Sequence, residues 1–206
     1  MSSSPLLAEL IEALRCLPGV GAKTAQRMAF HILERDRSGA RRLSDRLAAA
    51  VERIGNCSRC RSFSEEPVCT LCRNNARDQH LLCIVETPVD QYAIENATGY
   101  RGHYFVLLGR LSPMDGYGPK ELGLDLLAER LGEGEIRELI IATNPTVEGE
   151  ATAHMLSMLA HAAGVPASRL AHGVPLGGEL EFVDRSTLAH AFGSRQTSPD
   201  SDASAR

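Results

Sequence analysis

Ile141-Ala142-Thr143-Asn144-Pro145-Thr146-Val147-Glu148-Gly149-Glu150 is the stretch on which the fold turns. Its first residues close the apolar run Leu139-Ile140-Ile141-Ala142, short and uninterrupted, as suits a strand buried on both faces. Its last residues open a helix-like segment over about residues 148–163. Two more apolar runs lie upstream, Leu81-Leu82-Cys83-Ile84-Val85 and Tyr104-Phe105-Val106-Leu107-Leu108. Helix-like segments over about residues 88–96 and 119–131 separate them, and Pro88 and Pro119 suit first-turn positions, where a missing N–H is harmless. Strands that alternate with helices predict an α/β layer with a mainly parallel sheet and right-handed crossovers.

Before residue 81 the texture differs. Leu6, Leu7, Leu10, Ile11 and Leu14 recur at helical spacing, and Pro18-Gly19 ends that helix. A second helical pattern starts near Ala22 and runs through Met28, Phe30 and Leu33. A third covers about residues 44–54, with Ser44 as the expected N-cap. The expected organisation is a helical region over 1–55, a cysteine-rich segment over 56–78, the α/β part over 79–172, a C-terminal segment over 173–193, and a disordered Ser/Asp/Ala-rich tail over 194–206.

Composition narrows the class. The chain has 206 residues, 43% apolar, enough for a globular core or a few small ones. No stretch is long enough to span a bilayer, and the N-terminus lacks the basic region of a secretory signal. A cytoplasmic setting is expected, where disulfides rarely persist. The net charge of -4 hides an asymmetry. Residues 1–80 hold 13 Lys/Arg against 9 Asp/Glu, and the rest hold 9 against 17. A basic front and an acidic back point to different partners for each, unless both are plain solvated faces.

Cys57-Ser58-Arg59-Cys60 and Cys69-Thr70-Leu71-Cys72 form C-x2-C-x8-C-x2-C. Two close thiolate pairs can wrap one tetrahedral Zn²⁺, in a closed structural site with no position left for water. Two disulfides, or four free thiols, are the alternative. Cys16 and Cys83 lie outside the pattern and are expected to be ordinary buried cysteines.

Leu17-Pro18-Gly19-Val20-Gly21-Ala22-Lys23-Thr24-Ala25 resembles the helix-hairpin-helix DNA-binding motif. Gly19 and Gly21 permit the tight turn, and backbone N–H groups at the next helix start can face a phosphate. Lys23 and Arg27, four apart, share a helix face beside that start. Contacts of this type give affinity and salt dependence without sequence reading. A plain helical hairpin remains open. A nucleotide P-loop fits less well, because Ala22 stands where glycine must precede the lysine and a helix stands where a strand must lead in.

The opening stretch is similar to the metal-binding segment of a Toprim domain, with Asn144 and Thr146 in place of its two aspartates. Mg²⁺ needs hard anionic oxygens, so an amide and a hydroxyl should hold it poorly. Glu86 follows the first strand of the α/β part, where a Toprim domain carries its acidic residue. Ligands bind at that end of parallel sheets. With Asp90 and Glu148 it can form an acidic patch for a basic protein partner. Alternatively, Glu86 and Glu148 merely cap helices. If metal chemistry survived, the protein would instead be a metal-dependent nuclease, topoisomerase or primase.

These pieces in this order resemble the bacterial recombination-mediator family RecR. Besides the stretches already quoted, the resemblance rests on Gly109-Arg110-Leu111-Ser112-Pro113-Met114-Asp115-Gly116 and Gly173-Val174-Pro175-Leu176-Gly177-Gly178-Glu179-Leu180-Glu181. It implies a non-catalytic DNA-repair protein that assembles as a homodimer or homotetramer ring around DNA. Such a protein works with RecO and RecF to help load RecA onto single strands coated by single-strand-binding protein. It implies that Lys23 and Arg27 face DNA, single- or double-stranded, and that Glu86, Asp90 and Glu148 meet the protein partner. It implies one Zn²⁺ per chain on Cys57, Cys60, Cys69 and Cys72, and a nucleoid-associated location. Leu180-Glu181-Phe182-Val183-Asp184 is similar to the family's Walker-B-like assembly segment, although Arg185 replaces the acidic residue that often follows.

Overall fold

Three helices open the chain, α1 (Pro5–Leu14), α2 (Ala22–Arg35) and α3 (Arg37–Arg53). The computed structural model describes residues 4–171, 173–175 and 177–195. These fall into two compact units, Met1–Gly55 with Ser64–Glu66, and Asn56–Phe63 with Pro67–Arg206. In the first unit α1 packs on α2 and α2 on α3. Ala25 and Ala29 are the only buried residues of its helices among those described. Two expectations need correction. α3 starts at Arg37 rather than near Ser44, because the Asp36 carboxylate accepts from the Gly39 N–H at 2.7 Å and caps it. Cys16 is exposed rather than buried, because it lies in the turn after α1, off the helix's packed face.

The second unit is built on a four-stranded sheet. Its strands are β3 (Asp78–Val85), β4 (Gly102–Val106), β5 (Glu138–Ala142) and β6 (Ala167–Arg169), in the order β4-β3-β5-β6 and all parallel. Ahead of it, β1 (Gly55–Asn56), β2 (Phe63–Ser64) and α4 (Thr70–Arg73) frame the cysteines. Between the strands run α5 (Pro88–Ala97), α6 (Leu124–Gly132) and α7 (Val147–Ala162), and α8 (Arg185–Gly193) follows the sheet.

The apolar runs are explained by burial on both faces. Leu82, Ile84, Phe105 and Ile141 pack with Leu127 and Leu131 of α6 and Leu156 of α7. Cys83, Val85, Tyr104 and Val106 line the opposite face, where Ile94 of α5 packs. Each fully buried Leu or Ile contributes about 1.5–3 kcal/mol. Pro88 stands in the first turn of α5, as expected, and Thr87 with Asp90 forms a reciprocal capping box there. Pro119 does not open α6. Gly123, in a left-handed conformation with φ of 68°, is the N-cap, and the Pro119 carbonyl instead accepts from the Leu124 N–H in the preceding turn. β6 was not foreseen, since Ala167-Ser168-Arg169 is an edge strand without an apolar run.

At the start of β3, the Arg77 guanidinium is buried and donates to both oxygens of Glu95 on α5, at 2.7 and 2.8 Å, and to the Gly102 carbonyl at 2.8 Å. The Walker-B-like segment is not a strand. Leu180–Phe182 is a single 3-10 turn, and Asp184 caps α8 by accepting from Thr187 N–H at 2.9 Å. The expected disordered tail lies outside the described residues from 196 onward, as does Leu176.

Candidate functional site

The four cysteines converge. Their sulfurs all lie within 4.8 Å of one another, and Cys60 Sγ is 3.6 Å from Cys69 Sγ. A tetrahedral Zn²⁺ with Zn–S of about 2.3 Å sets its sulfurs about 3.8 Å apart, so the cluster fits that ion. Hydrogen bonds with the Cys69 and Cys72 thiols, and burial, drive the Cys60 thiol far above its usual range. Hydrogen bonds with the Cys60 and Cys72 thiols drive Cys69 far below it. Uncompensated, such a cluster ionises only in part. A cation lets all four sulfurs be thiolates together.

The cluster is tied to the sheet. The Cys60 carbonyl accepts the Val106 N–H of edge strand β4 at 2.8 Å. Arg130 donates to the Arg59 and Tyr104 carbonyls, both at 3.1 Å. Arg61, with a left-handed φ of 64°, donates to the Leu107, Glu121 and Leu122 carbonyls. Arg61 and Arg130 were not singled out from sequence, because their partners lie tens of residues away.

The glycine turn prepares a helix start in the first unit. Gly19 has φ of 77°, a conformation that other residues resist. Gly21, the N-cap of α2, is extended at φ -80° and ψ 171°. A Cβ there would meet nothing within 4 Å, so the fold of the chain does not itself demand glycine at Gly21. No side chain caps α2 and its first turn holds no acidic residue. Its first amides therefore keep their positive end of the helix dipole exposed. Lys23 and Arg27 are exposed, Lys23 two residues before buried Ala25 and Arg27 midway between buried Ala25 and Ala29. Chemically, a helix start of this kind can receive an anion such as a phosphate.

In the second unit, Glu86 ends β3 and Asn144 follows β5. The register Val85 opposite Ala142 brings them side by side. The Asn144 backbone N–H donates to Glu86 Oε1 at 2.8 Å, and its Nδ2 donates to Oε2 at 2.8 Å. Arg110 Nη1 lies 3.9 Å from Oε2. Glu86 is only 2% exposed. The Thr146 hydroxyl accepts the Gly149 N–H at 3.0 Å and caps α7. A Cβ on Gly149 would sit 2.0 Å from the Asn144 carbonyl oxygen, so this corner admits only glycine.

The three expected partner-binding acids therefore differ. Glu86 is neither a surface acid nor a helix cap, since its oxygens are taken by Asn144. Asp90 is half-buried and accepts from Thr87 N–H and Oγ1 at 2.9 and 2.7 Å. Glu148 is exposed in the first turn of α7, where the helix dipole favours it. Glu150, beside it, pairs with Arg169 at 2.5 and 2.9 Å. Of the tyrosines, Tyr104 donates to Glu95 and Tyr100 to the His103 carbonyl, at 2.9 Å each.

Family models match along the chain. Residues 7–51 match the RecR helix-hairpin-helix; 54–74 match the RecR zinc finger domain of the four-cysteine type; 80–171 match the Toprim domain; and 173–196 match the RecR C-terminal segment. The chain is 65% identical over 192 residues to Recombination protein RecR of Xanthomonas campestris pv. campestris strain 8004, covering 93% of this chain and 98% of that one. It is 63% identical over 193 residues to Recombination protein RecR of Xylella fastidiosa strain Temecula1, covering 94% and 98%. Among the described residues no helix is long and apolar enough to cross a membrane.

Proposed function

Because the chain belongs to the RecR family of recombination proteins, we propose that it is a non-catalytic, DNA-binding recombination mediator. It acts with RecO and RecF to help load RecA on single strands coated by single-strand-binding protein, in the cytoplasm and at the nucleoid. The observation that carries this reading is the uncapped start of α2 with Lys23 and Arg27 exposed beside it. Gly19 and Gly21 shape the turn, and single- or double-stranded DNA lays its phosphates against the free amides.

One Zn²⁺ per chain, on Cys57, Cys60, Cys69 and Cys72, staples the sheet unit. Glu148 offers the surface carboxylate to RecO, while Asp90 and Glu86 shape the ground beneath it. The exposed row Leu43, Leu47 and Val51 on α3, the last 83% exposed, supports a homodimer or homotetramer ring. Several α2 starts on one ring then hold DNA together, and weak contacts gain strength by multivalency.

Lys23→Ala with Arg27→Ala should strongly weaken DNA retention in a low-salt shift assay while zinc content and solution mass stay unchanged. Retention at the parent level removes the reading. Incubation with plasmid and Mg²⁺ or Mn²⁺ should give no cleavage or relaxation. Turnover that Glu86→Ala abolishes would make the protein a Toprim enzyme instead.

A further inference from the structure

We propose that Glu86 is a positioning residue, and that the Asn144 amide does for its carboxylate what a divalent cation does in an acidic metal site. The two oxygens of Glu86 are held by one residue, through its backbone N–H and its side-chain NH2, both at 2.8 Å. That clamp joins the end of β3 to the residue that leads into α7. Asn144 O in turn accepts the Thr146 N–H at 2.8 Å, and Thr146 caps Gly149. Gly149 closes against the same corner, where a Cβ would stand 3.0 Å from Glu86 Oε1. Glu86 thus fixes the first turn of α7, and with it the direction in which Glu148 points. A partner's basic side chain has no path to a carboxylate this buried.

The amide suits the role physically. It presents donors to both oxygens without the cost of stripping water from an ion. Arg110, 3.9 Å away and half exposed, adds a positive charge that no soluble ion need supply. Removing the Glu86 side chain leaves two part-buried donors of Asn144 without their acceptors, which is costly. A carboxamide at position 86 behaves otherwise. Its oxygen takes the Asn144 N–H, and its NH2 donates to the Asn144 side-chain oxygen once that amide turns over. Both hydrogen bonds survive and only the charge is lost.

The functional consequence rests on Glu148 being the partner's contact; the structural claim does not. Thermal unfolding of the full chain, zinc-loaded throughout, in magnesium-free buffer and in millimolar Mg²⁺, tests the latter. The parent protein should unfold at one temperature in both. Glu86→Gln should stay within about 2 °C of it, and Glu86→Ala should fall by about 5 °C or more. Asn144→Asp, which sets two carboxylates face to face, should be destabilised in magnesium-free buffer and recover with Mg²⁺. Equal losses for Glu86→Gln and Glu86→Ala would overturn the proposal, because charge rather than hydrogen bonding would then matter. So would a parent protein that Mg²⁺ stabilises, or an Asn144→Asp variant indifferent to the ion. RecO binding measured on the same variants separates the two readings. Loss with Glu86→Ala but not Glu86→Gln supports both. The expected unfolding pattern with RecO binding unchanged in Glu86→Ala retains the clamp and removes the Glu148 assignment.

Discussion

Two helices in this molecule begin in opposite ways. α2 begins at a glycine with no capping side chain, no acid in its first turn, and Lys23 and Arg27 on its exposed face. α7 begins at Thr146, whose hydroxyl caps it, and carries Glu148 and Glu150 in its first turn. Every helix start is electropositive through its unpaired amides. At α2 that field is left open and is reinforced by two exposed cations. At α7 it is satisfied from within, Glu150 is paired with Arg169, and the exposed acid in the first turn is Glu148. The secondary structure is the same, and a few side chains decide whether the end faces solvent as a positive or a negative surface.

The largest effect should come from removing the staple of the unit that carries α7. Cys57→Ser with Cys60→Ser removes half the ligands of a site type that supplies roughly 10–16 kcal/mol in small zinc domains. Arg61 and the Cys60 carbonyl then lose their fixed places against the loops before α6 and the edge of β4. We expect loss of zinc, loss of the cooperative unfolding of the sheet unit, and loss of the assembly. Full zinc content and unchanged solution mass would contradict this.

Next in size is Arg77→Ala. It leaves Glu95 without its buried partner and should cost about 3–5 kcal/mol. The pH dependence has a definite sign. The Arg77 guanidinium holds the Glu95 carboxyl below its ordinary value. The pair's stabilisation is therefore complete above the unfolded carboxylate range and drains as pH falls through the lowered folded value. Acid titration of the parent should show this loss, and the Arg77→Ala variant should show less of it. Parallel acid curves would remove the pair from the account.

Lys23→Ala with Arg27→Ala probes the other helix start. If each cation neutralises one phosphate, the slope of log affinity against log salt should shrink by about 2 per site. Stability should change little, since both side chains are exposed. An unchanged salt slope would mean that DNA lies elsewhere.

The contrast was partly legible in the sequence. Leu81 to Val85 and Leu139 to Ala142 announced buried strands because burial on both faces leaves no room for polar residues. Gly19 and Gly21 announced the open turn, and the cysteine spacing announced the cluster of four sulfurs. β6 was not legible, because an edge strand needs no apolar run, and α3 was placed late because its first turns are polar. The clamp on Glu86 was hidden for another reason. Asn144 could be recognised as a poor metal ligand, but only the parallel register of β3 and β5 shows that its amide faces a carboxylate 58 positions away. Local pattern reveals elements, while long-range pairing reveals what a substituted residue does instead.

At α7, Thr146→Ala removes the cap and should cost about 1 kcal/mol by thermal unfolding. With the Gly149 N–H released, the helix start regains some of its positive character, and RecO binding should weaken. A variant as stable as the parent would show that the Glu86 clamp alone sets this turn.

The smallest stability effect belongs to Gly21→Ser, and its value lies in its sign. The extended backbone at Gly21 accepts any residue, and a new Cβ meets nothing within 4 Å. A serine there is a good N-cap, so its hydroxyl should accept from the first-turn amides of α2 and raise stability by a few tenths of a kcal/mol. The same hydroxyl occupies the donors that a phosphate needs and turns the start of α2 into one like that of α7. The protein should therefore become slightly more stable and bind DNA more weakly in one substitution. A structural glycine would give the reverse, loss of stability with DNA binding following it down. If stability rises and DNA retention holds, the free amides are not the contact, and Lys23 and Arg27 act as cations alone.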